Sequence, residues 1–370
     1  MIRMPSFHSL NVILRDRLVW RKQRVDTFLW LLCGLIDQGT VRLWRLASSM
    51  PTRAKPSSTL RRLERFFASR TICAKWRAQL CWDLMGRPKC CDLIFDRTQW
   101  RIGKKDVNIL VLAVSTSRFT LPLFWMFFDH RGTCSAHDCA KLLDQFIGLF
   151  GKLCIREVLA DREFGHGPMV DMLLKHDVNF TIRVKSDNYV LTNEGRTYKL
   201  ASLCRNKRHS MRSKKQFRLK QQTHRGSIFI ACSFKHVKAD RVAARTNSKP
   251  DQMILITTNR PKKAVERYRK RWKIETMFAD LKSRGFNLEN SRMTEPKKLD
   301  VLLSLVAIAY VWVCATVGRK HIKVQIKGHG FPAKSWLRTA LEQARKLIRY
   351  DPEVMVKILK PAIDKSKRVG

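Results

Sequence analysis

The chain has 370 residues, of which 45% are hydrophobic, so it can bury a sizeable core and disorder throughout is excluded. Lys and Arg number 74 against 30 Asp and Glu, which leaves a formal net charge of +44. A chain this basic repels itself unless it meets a polyanion, which makes nucleic acid the expected partner. The length allows two or three domains.

The N-terminal sequence MIRMPSFHSLNV lacks the charged start, apolar middle and small-residue cleavage site of a secretory signal, so we expect the protein to stay inside the cell. The 11 cysteines are scattered, which indicates reduced core residues rather than a disulfide framework. The densest group, Cys134, His137 and Cys139, has no second ligand pair at zinc spacing nearby. The sequence therefore does not favour a zinc site.

Residues 25–69 have the pattern of three short helices, separated by Gly39 and by the stretch 51–56. The middle and last of these could form a helix-turn-helix, with Ser58 or Thr59 capping the last helix. The last helix carries an apolar stripe and a basic remainder: Leu60, Leu63, Phe66 and Phe67 against Arg61, Arg62 and Arg65. A basic helix after a turn can enter a major groove, although a solvated Arg face on a helical bundle would look the same. The net charge favours DNA contact, and we assign residues 1–88 to an N-terminal helical DNA-binding region.

From Cys91 the pattern changes to strands, in CDLIFDRTQW, VNILVLAVST and FTLPLFWMFF. A helix is then predicted over 137–150, a strand in EVLADREF, a helix over 168–175 and a strand in NFTIRVK. Three strands followed by alternating helices and strands predict an α/β fold with a mixed sheet, spanning residues 89–185 and 252–320.

Residues 186–251 are polar and strongly basic, with a probable strand in SIFIACSF, and are predicted to form a β-rich basic insertion. MILITTN then returns to core character. Residues 321–370 form a C-terminal helical basic region, with helices near 334–350 and 352–363. The sequence contains no internal repeat.

An uncharged run of 18 residues, VLLSLVAIAYVWVCATVG, lies between Asp300 and Arg319. At about 1.5 Å per residue it reaches only ~27 Å, barely the thickness of the hydrocarbon layer. We favour a buried core helix. A basic membrane-associated protein that uses this run as a span is the alternative.

The segment from Tyr268 to Lys282 carries the best functional clue. At about 100° per residue Tyr268, Arg271, Glu275 and Lys282 fall within an arc of roughly 60° on a helix. The neighbouring arc is apolar and consists of Ile274, Met277, Phe278 and Leu281. A carboxylate among groups suited to phosphate fits a metal ligand beside a nucleic-acid backbone.

Two further acidic residues stand where strand patterns end. Asp96 closes CDLIF, and Asp161 closes EVLA and is followed by Arg162 and Glu163. Adjacent strands can bring both carboxylates to one edge of the sheet, where Glu275 would arrive from a helix packed across it. Three hard oxygen donors can hold two Mg²⁺ ions about 3.5 to 4 Å apart, which predicts phosphoryl transfer on a phosphodiester.

These residues resemble those of the cut-and-paste DDE transposases of bacterial insertion sequences, specifically the insertion-sequence-four family with its Tyr-Arg-Glu-Lys signature. Tyr268, Arg271, Glu275 and Lys282 match that signature without a gap, and the string RWKIE also fits. Asp96 matches the first Asp of the family, and Asp161 matches the second in its Asp-Arg-Glu context. The resemblance runs from about residue 27 to residue 318.

The resemblance implies a ribonuclease-H-like catalytic core with Asp96, Asp161 and Glu275 as ligands of two Mg²⁺ ions, for which Mn²⁺ can substitute. It also implies phosphate contacts from Tyr268, Arg271 and Lys282. Arg162 would be an additional DNA contact. Trp272 matches an aromatic residue near a flipped base, although a core position is an alternative for a Trp on this helix.

The family further implies a nucleoid-associated bacterial protein that binds terminal inverted repeats and double-stranded target DNA. It would act as a homodimer on paired ends, without a membrane. A catalytically inactive DNA-binding relic or regulator of transposition is the alternative function, since basic helices alone would suffice for it.

Overall fold

We describe the protein from a computed structural model, which covers residues 7–69, 71–102, 105–116, 120–128, 134–204, 210–212, 216–234, 252–318, 328 and 334–366. These residues form helices at both ends of the chain and two β-sheets between them. The helices are α1 His8–Leu18, α2 Lys22–Gln38, α3 Leu43–Ser49, α4 Pro56–Ser69, α5 Ala74–Leu84, α6 Ala136–Phe150, α7 Gly167–Lys175, α8 Leu200–Cys204, α9 Ala264–Arg269, α10 Trp272–Ala279, α11 Pro296–Val317, α12 Trp336–Tyr350 and α13 Pro352–Lys365. The strands are β1 Cys91–Ile102, β2 Lys105–Ser115, β3 Thr120–Phe128, β4 Ile155–Ala160, β5 Phe180–Val184, β6 Tyr189–Thr192, β7 Thr197–Lys199, β8 Ser210–Arg212, β9 Phe217–Leu219, β10 Phe229–Phe234 and β11 Gln252–Thr257.

The main sheet has eight strands in the order β3-β2-β1-β4-β5-β11-β10-β8. β1, β4 and β5 are parallel to one another, whereas β2, β3, β11, β10 and β8 are joined by antiparallel pairings. Nine consecutive residues of β2, 107–115, are buried, as expected for a strand covered on both faces. The predicted mixed α/β sheet is therefore confirmed.

Asp96 lies inside β1 rather than at its end, so the prediction that it closes a strand was wrong. The parallel pairing of β1 with β4 stops at Phe95 and Ala160, while β1 continues to Ile102 through its antiparallel pairing with β2. Asp96 therefore marks the end of the β1–β4 pairing. Its neighbours along β1 remain in the sheet because β2 still supplies hydrogen-bond partners.

The segment 186–251, expected to form one β-rich insertion, divides between the two sheets. β6, β7 and β9 form a separate three-stranded sheet in the order β7-β6-β9. β8 and β10 instead extend the main sheet beyond β11. The predicted strand in SIFIACSF is thus a core strand, whereas much of the basic sequence, residues 205–209, 213–215 and 235–251, lies outside the described residues.

Helices from both ends of the chain pack around α11. α11 contacts α2, α5, α12 and α13, so the predicted N-terminal and C-terminal helical regions form one assembly rather than two. The side chain of Arg77 on α5 ties this assembly to the sheet, since its guanidinium donates to Ser304 Oγ at 2.8 Å and to the carbonyl of Leu123 at 3.1 Å. α12 and α13 confirm the two helices predicted near the C-terminus.

α11 contains the uncharged run that raised the possibility of a membrane span. It is the one helix among the described residues that is long and apolar enough to cross a membrane, and 94% of its apolar window is buried inside the protein. Trp312 is completely buried and donates from Nε1 to the carbonyl of Met355 at 3.0 Å. The prediction of a core helix is confirmed.

The N-terminal helices differ from the predicted ones in number and in starting point. α1 and α5 were not predicted, although Leu10, Leu14 and Leu18 of α1 are buried and recur at the helical spacing of four residues. α4 begins at Pro56, so Ser58 and Thr59 lie inside the helix and neither caps it. Leu63, Phe66 and Phe67 are buried as predicted, whereas Arg61 and Arg65 are exposed.

We expect Trp312→Ala to lower the free energy of unfolding by about 3–5 kcal/mol, because it removes a buried indole and its hydrogen bond to α13. Trp44→Ala is the matched control, since Trp44 is 56% exposed on α3, and should change stability by less than about 0.5 kcal/mol. Urea unfolding followed by far-UV circular dichroism measures both. Equal effects of the two variants would show that α11 does not anchor the terminal helices.

Candidate active site

The segment predicted as one helix from Tyr268 to Lys282 is broken into three parts. α9 ends at Arg269, Lys270 and Arg271 form a tight turn, and α10 is followed by a π-helical turn over Asp280–Arg284. The amides of Lys273 and Ile274 bond to the carbonyls three residues earlier, which tightens the helix at Arg271. The prediction of one continuous helix with four polar side chains in a 60° arc was therefore wrong. The apolar stripe is buried as predicted and consists of Ile274, Met277, Phe278 and Leu281.

Acidic side chains form two rows across β1 and β4. Asp92 and Glu157 are paired in the strand register and are almost completely buried. Asp96 and Asp161 each follow four residues later on the same strand face, one residue beyond the last paired positions, Phe95 and Ala160. We call Asp92 and Glu157 the inner row, and Asp96 and Asp161 the outer row.

The inner row is neutralised by cations from α9 and from β4. Arg267 Nε lies 2.9 Å from Glu157 Oε2, and Thr181 donates a hydrogen bond to Glu157. Burial raises the pKa of Glu157, and the contacts from Thr181 and Arg267 oppose that shift. Two basic side chains form ion pairs with Asp92: Arg156 Nε is 2.6 Å from Oδ1 and Lys270 Nζ is 3.4 Å from Oδ2.

The outer row meets the guanidinium of Arg271, which lies between three carboxylates. Arg271 Nη2 is 2.6 Å from Glu275 Oε1 and 4.0 Å from Asp161 Oδ2, and Nη1 is 3.4 Å from Asp96 Oδ2. Tyr268 donates its hydroxyl to Asp161 Oδ1 at 3.0 Å. The structure thus brings Asp96, Asp161 and Glu275 to one place, together with two of the predicted phosphate contacts.

Burial dominates the electrostatics of this site. It raises the pKa of Asp96 to about 6, against the opposing effect of Arg271, because a carboxylate in a poorly solvated place loses hydration. Burial also raises the pKa of Tyr268 above its usual value, so the hydroxyl keeps its proton and can donate. Negative charge held this close together needs a cation among the carboxylates.

The remaining predicted site residues lie around this cluster. Lys282 is in the π-helical turn, where its ammonium donates to the carbonyl of Gln99 on β1 at 2.9 Å, and its pKa is lowered by burial. Arg162 is exposed directly after Asp161. Trp272 is 65% exposed, so the alternative that it belongs to the core was wrong.

No three or more His, Cys, Asp or Glu side chains of the described residues are grouped as a metal site. The side chains of Cys134, His137 and Cys139 do not converge, because both thiols are buried while His137 is exposed. The carboxylates of Asp96, Asp161 and Glu275 each contact the guanidinium of Arg271 instead. Their chemistry nevertheless fits Mg²⁺, which prefers carboxylate oxygen over sulfur or imidazole.

A family model for the transposase DDE domain matches residues 91–312, which is more than half of the chain. The chain belongs to this family. The match extends from the start of β1 almost to the end of α11 and includes Asp96, Asp161 and Glu275. The comparison with curated proteins finds no match.

Membership gives the fold and the general chemistry of this DDE transposase. The mixed sheet with helices at both ends is a ribonuclease-H-like core, as predicted. The protein is a transposase, an enzyme that cleaves and joins DNA, so DNA is its partner. Transposase DDE domains generally use divalent metal ions.

The inner row and the cations that neutralise it were not predicted from the sequence. A signal was present, since Asp92, Glu157 and Arg267 each precede a predicted site residue by four positions. On a strand and on a helix alike, that spacing returns a side chain to nearly the same face. The inner row holds α9 against the sheet and so determines where Tyr268 and Arg271 stand.

We expect Arg267→Ala in this transposase to cost about 3–5 kcal/mol of stability, because it leaves the buried carboxylate of Glu157 without its partner. Adding Glu157→Gln should recover part of that loss, since the uncompensated charge is then gone. Arg269→Ala, an exposed residue of the same helix, is the control and should be nearly neutral. Urea denaturation of the unchanged protein and the three variants measures these free energies of unfolding. If the double variant recovers no stability, Arg267 does not act by neutralising Glu157.

Proposed function

We propose that this transposase belongs to the insertion-sequence-four family with the Tyr-Arg-Glu-Lys signature. In this proposal it cleaves the ends of its element and joins them to target DNA by two-metal phosphoryl transfer, with Asp96, Asp161 and Glu275 as metal ligands. The observation that supports it best is the meeting of these three carboxylates around Arg271, although they come from a strand, a loop and a helix far apart in sequence.

The proposed cofactor is a pair of Mg²⁺ ions, for which Mn²⁺ can substitute. Bound there, the metals would activate a water or a 3′-hydroxyl and stabilise the leaving oxygen of a phosphodiester. The chain supplies hard oxygen donors, and the inner row keeps their supporting elements in place. Tyr268, with its proton retained, can donate to a phosphate oxygen as it now donates to Asp161.

The proposed DNA contacts near the cleaved end are Tyr268, Arg271, Lys282, Arg162 and Trp272. Arg162 and Trp272 are exposed beside the carboxylates, where a duplex end can reach them. An exposed indole next to a phosphate-binding guanidinium suits stacking on an unpaired base. Lys282 and Arg271 are less exposed and would meet the backbone only at close approach.

A basic cleft supports a longer path for DNA beyond Lys282. It has a volume of about 810 Å³ and lies between the end of α2, the π-helical turn and α12. Among the described residues that line it are Arg284, Lys334, Arg338 and Arg345, and Glu342 is the one carboxylate among them. Positive charge along a cleft attracts the phosphate backbone without regard to sequence.

The assembly follows the same proposal. Residues 1–88 would form a DNA-binding region, in which Arg61 and Arg65 of α4 are exposed for contact. The other proposed units are a catalytic core of residues 89–185 and 252–320, a basic insertion over 186–251 and a C-terminal region over 321–370. We further propose a cytoplasmic, nucleoid-associated protein that binds terminal inverted repeats and acts as a homodimer on paired ends.

Asp96→Asn and Glu275→Gln should each reduce Mg²⁺-dependent nicking and joining of a duplex carrying the element's ends by at least about 100-fold, because each removes a charged metal ligand. Binding of the same duplex should remain within about threefold, as measured by fluorescence anisotropy, since the phosphate contacts stay. Glu353→Gln, an exposed carboxylate of α13, is the matched control and should cut normally.

Two results would count against this proposal. If Asp96→Asn cuts as well as the unchanged protein, the carboxylates are not the catalytic groups. If the unchanged protein binds its ends but cuts in neither Mg²⁺ nor Mn²⁺, the inactive relic or regulator becomes the better reading.

Trp272→Ala should weaken engagement of an unpaired base at the cleaved end by about 1–3 kcal/mol, the range for stacking of a base on an aromatic ring. A 2-aminopurine placed at that end reports stacking by its fluorescence, which the unchanged protein should quench and the variant should not. Stability should change by less than about 0.5 kcal/mol, because the side chain is exposed. Trp44→Ala again serves as control, and quenching that survives in Trp272→Ala excludes the stacking role.

A further inference from the structure

The guanidinium of Arg271 occupies the space in which the proposed metal ions would have to lie. Its two terminal nitrogens contact Glu275, Asp96 and Asp161 at 2.6, 3.4 and 4.0 Å. Only 5% of the residue is exposed, so little water shares this space. A guanidinium and a divalent cation repel each other and compete for the same oxygens, so both cannot hold this position together.

We propose that Arg271 is a built-in cation that closes the carboxylate site in DNA-free protein, and that it exchanges the carboxylates for a DNA phosphate when metal ions enter. The inference rests on the proposed function, because it takes Asp96, Asp161 and Glu275 as the metal ligands. It assigns to Arg271 a second role besides phosphate contact. Without DNA, the site is filled by the protein's own charge.

The contacts of Arg271 differ from those of Arg267 on α9 and of Lys270 in the turn after it. Arg267 and Lys270 contact Glu157 and Asp92, carboxylates of the inner row that remain when the outer row binds metal. The ion pairs of Arg271 are all with the three carboxylates of the site. Once those oxygens bind metal ions, the side-chain contact that remains among the described residues is with the ring of Tyr268, whose centroid is 5.7 Å from the guanidinium carbon. Such a ring holds a cation less strongly than an ion pair does.

The position of Arg271 in the chain allows it to leave. It stands in the tight turn between α9 and α10, directly before Trp272, whose exposure places the protein surface next to it. Its Nε is buried without a hydrogen-bond partner, so moving the side chain breaks no bond at that atom. A phosphate at the rim offers oxygens with the same fork geometry as a carboxylate.

The exchange couples the two ligands of the site. Metal binding releases Arg271 for phosphate, and phosphate binding releases the carboxylates for metal, so each ligand strengthens the binding of the other by the same factor. The protein would then hold metal tightly only in the presence of DNA. Enzyme that carries metal without DNA would therefore be rare.

The test measures Mn²⁺ binding to the full-length, DNA-free protein by electron paramagnetic resonance of the unbound ion. Arg271→Ala should bind Mn²⁺ at least about tenfold more tightly than the unchanged protein, a coupling of ordinary size. Arg269→Ala is the matched control, because it removes an exposed cation of the neighbouring helix α9 that has no assigned role in the site. It should change the affinity by less than about threefold. Adding Asp96→Asn to Arg271→Ala should abolish the gain and thereby locate it at this site.

A folded Arg271→Ala variant with unchanged or weaker Mn²⁺ binding would overturn the inference. If that variant fails to fold, as judged by circular dichroism, Arg271→Gln keeps the side-chain length without the charge and takes its place under the same criterion. Adding an end duplex to the unchanged protein separates the two proposals. If DNA induces Mn²⁺ binding and the Arg271 substitution does not change it, only this inference is rejected. If the unchanged protein binds no Mn²⁺ even with DNA, the proposed metal site is rejected as well.

Discussion

The structure of the site depends on charge balance between two neighbouring strands and one helical segment. β1 and β4 present two rows of carboxylates, and Arg267, Lys270 and Arg271 come from the segment that crosses them. Carboxylates this buried are tolerated only where cations and hydrogen bonds compensate them. The inner row is compensated permanently and fixes α9. The outer row is compensated by Arg271, whose guanidinium metal ions can displace in the proposed reaction.

This balance needs a rigid support, which the hydrophobic packing around α11 provides. α11 is covered by helices from both ends of the chain and by the sheet, and it shares one core with β1, β4 and α10. Ala264 and Tyr268 of α9 pack in a separate small cluster. Arg77 adds polar links between α5, α11 and β3 within this core. A shift of α11 would therefore reach the sheet edge on which the carboxylates stand.

The features that were predicted correctly from the sequence are those that apolar spacing along one element determines. The stripe of α10 and the run of α11 were predicted correctly, because apolar spacing alone reports which face is buried. The breaks at Arg271 and at Asp280–Arg284 were missed, because neither interrupts the side-chain spacing from which the helix was predicted. Asp96 was placed at a strand end because its charge interrupts the apolar pattern, but β2 carries the strand onward to Ile102.

The sequence by itself determined the basic character of the protein and the order of the strands and helices from β1 to β5. It also gave the candidate residues Asp96, Asp161, Glu275 and Arg271, because composition, periodicity and spacing are properties of the chain alone. The tertiary structure decided that a guanidinium lies between the three carboxylates, that Asp92 and Glu157 form a second row, and that Trp272 is exposed. Arg271 is more than 100 positions from Asp96 and from Asp161, and Asp92 is 65 positions from its neighbour Glu157. Only the packing of the sheet against the helices brings such residues together, so a local pattern can suggest the residues but cannot report the distances between them.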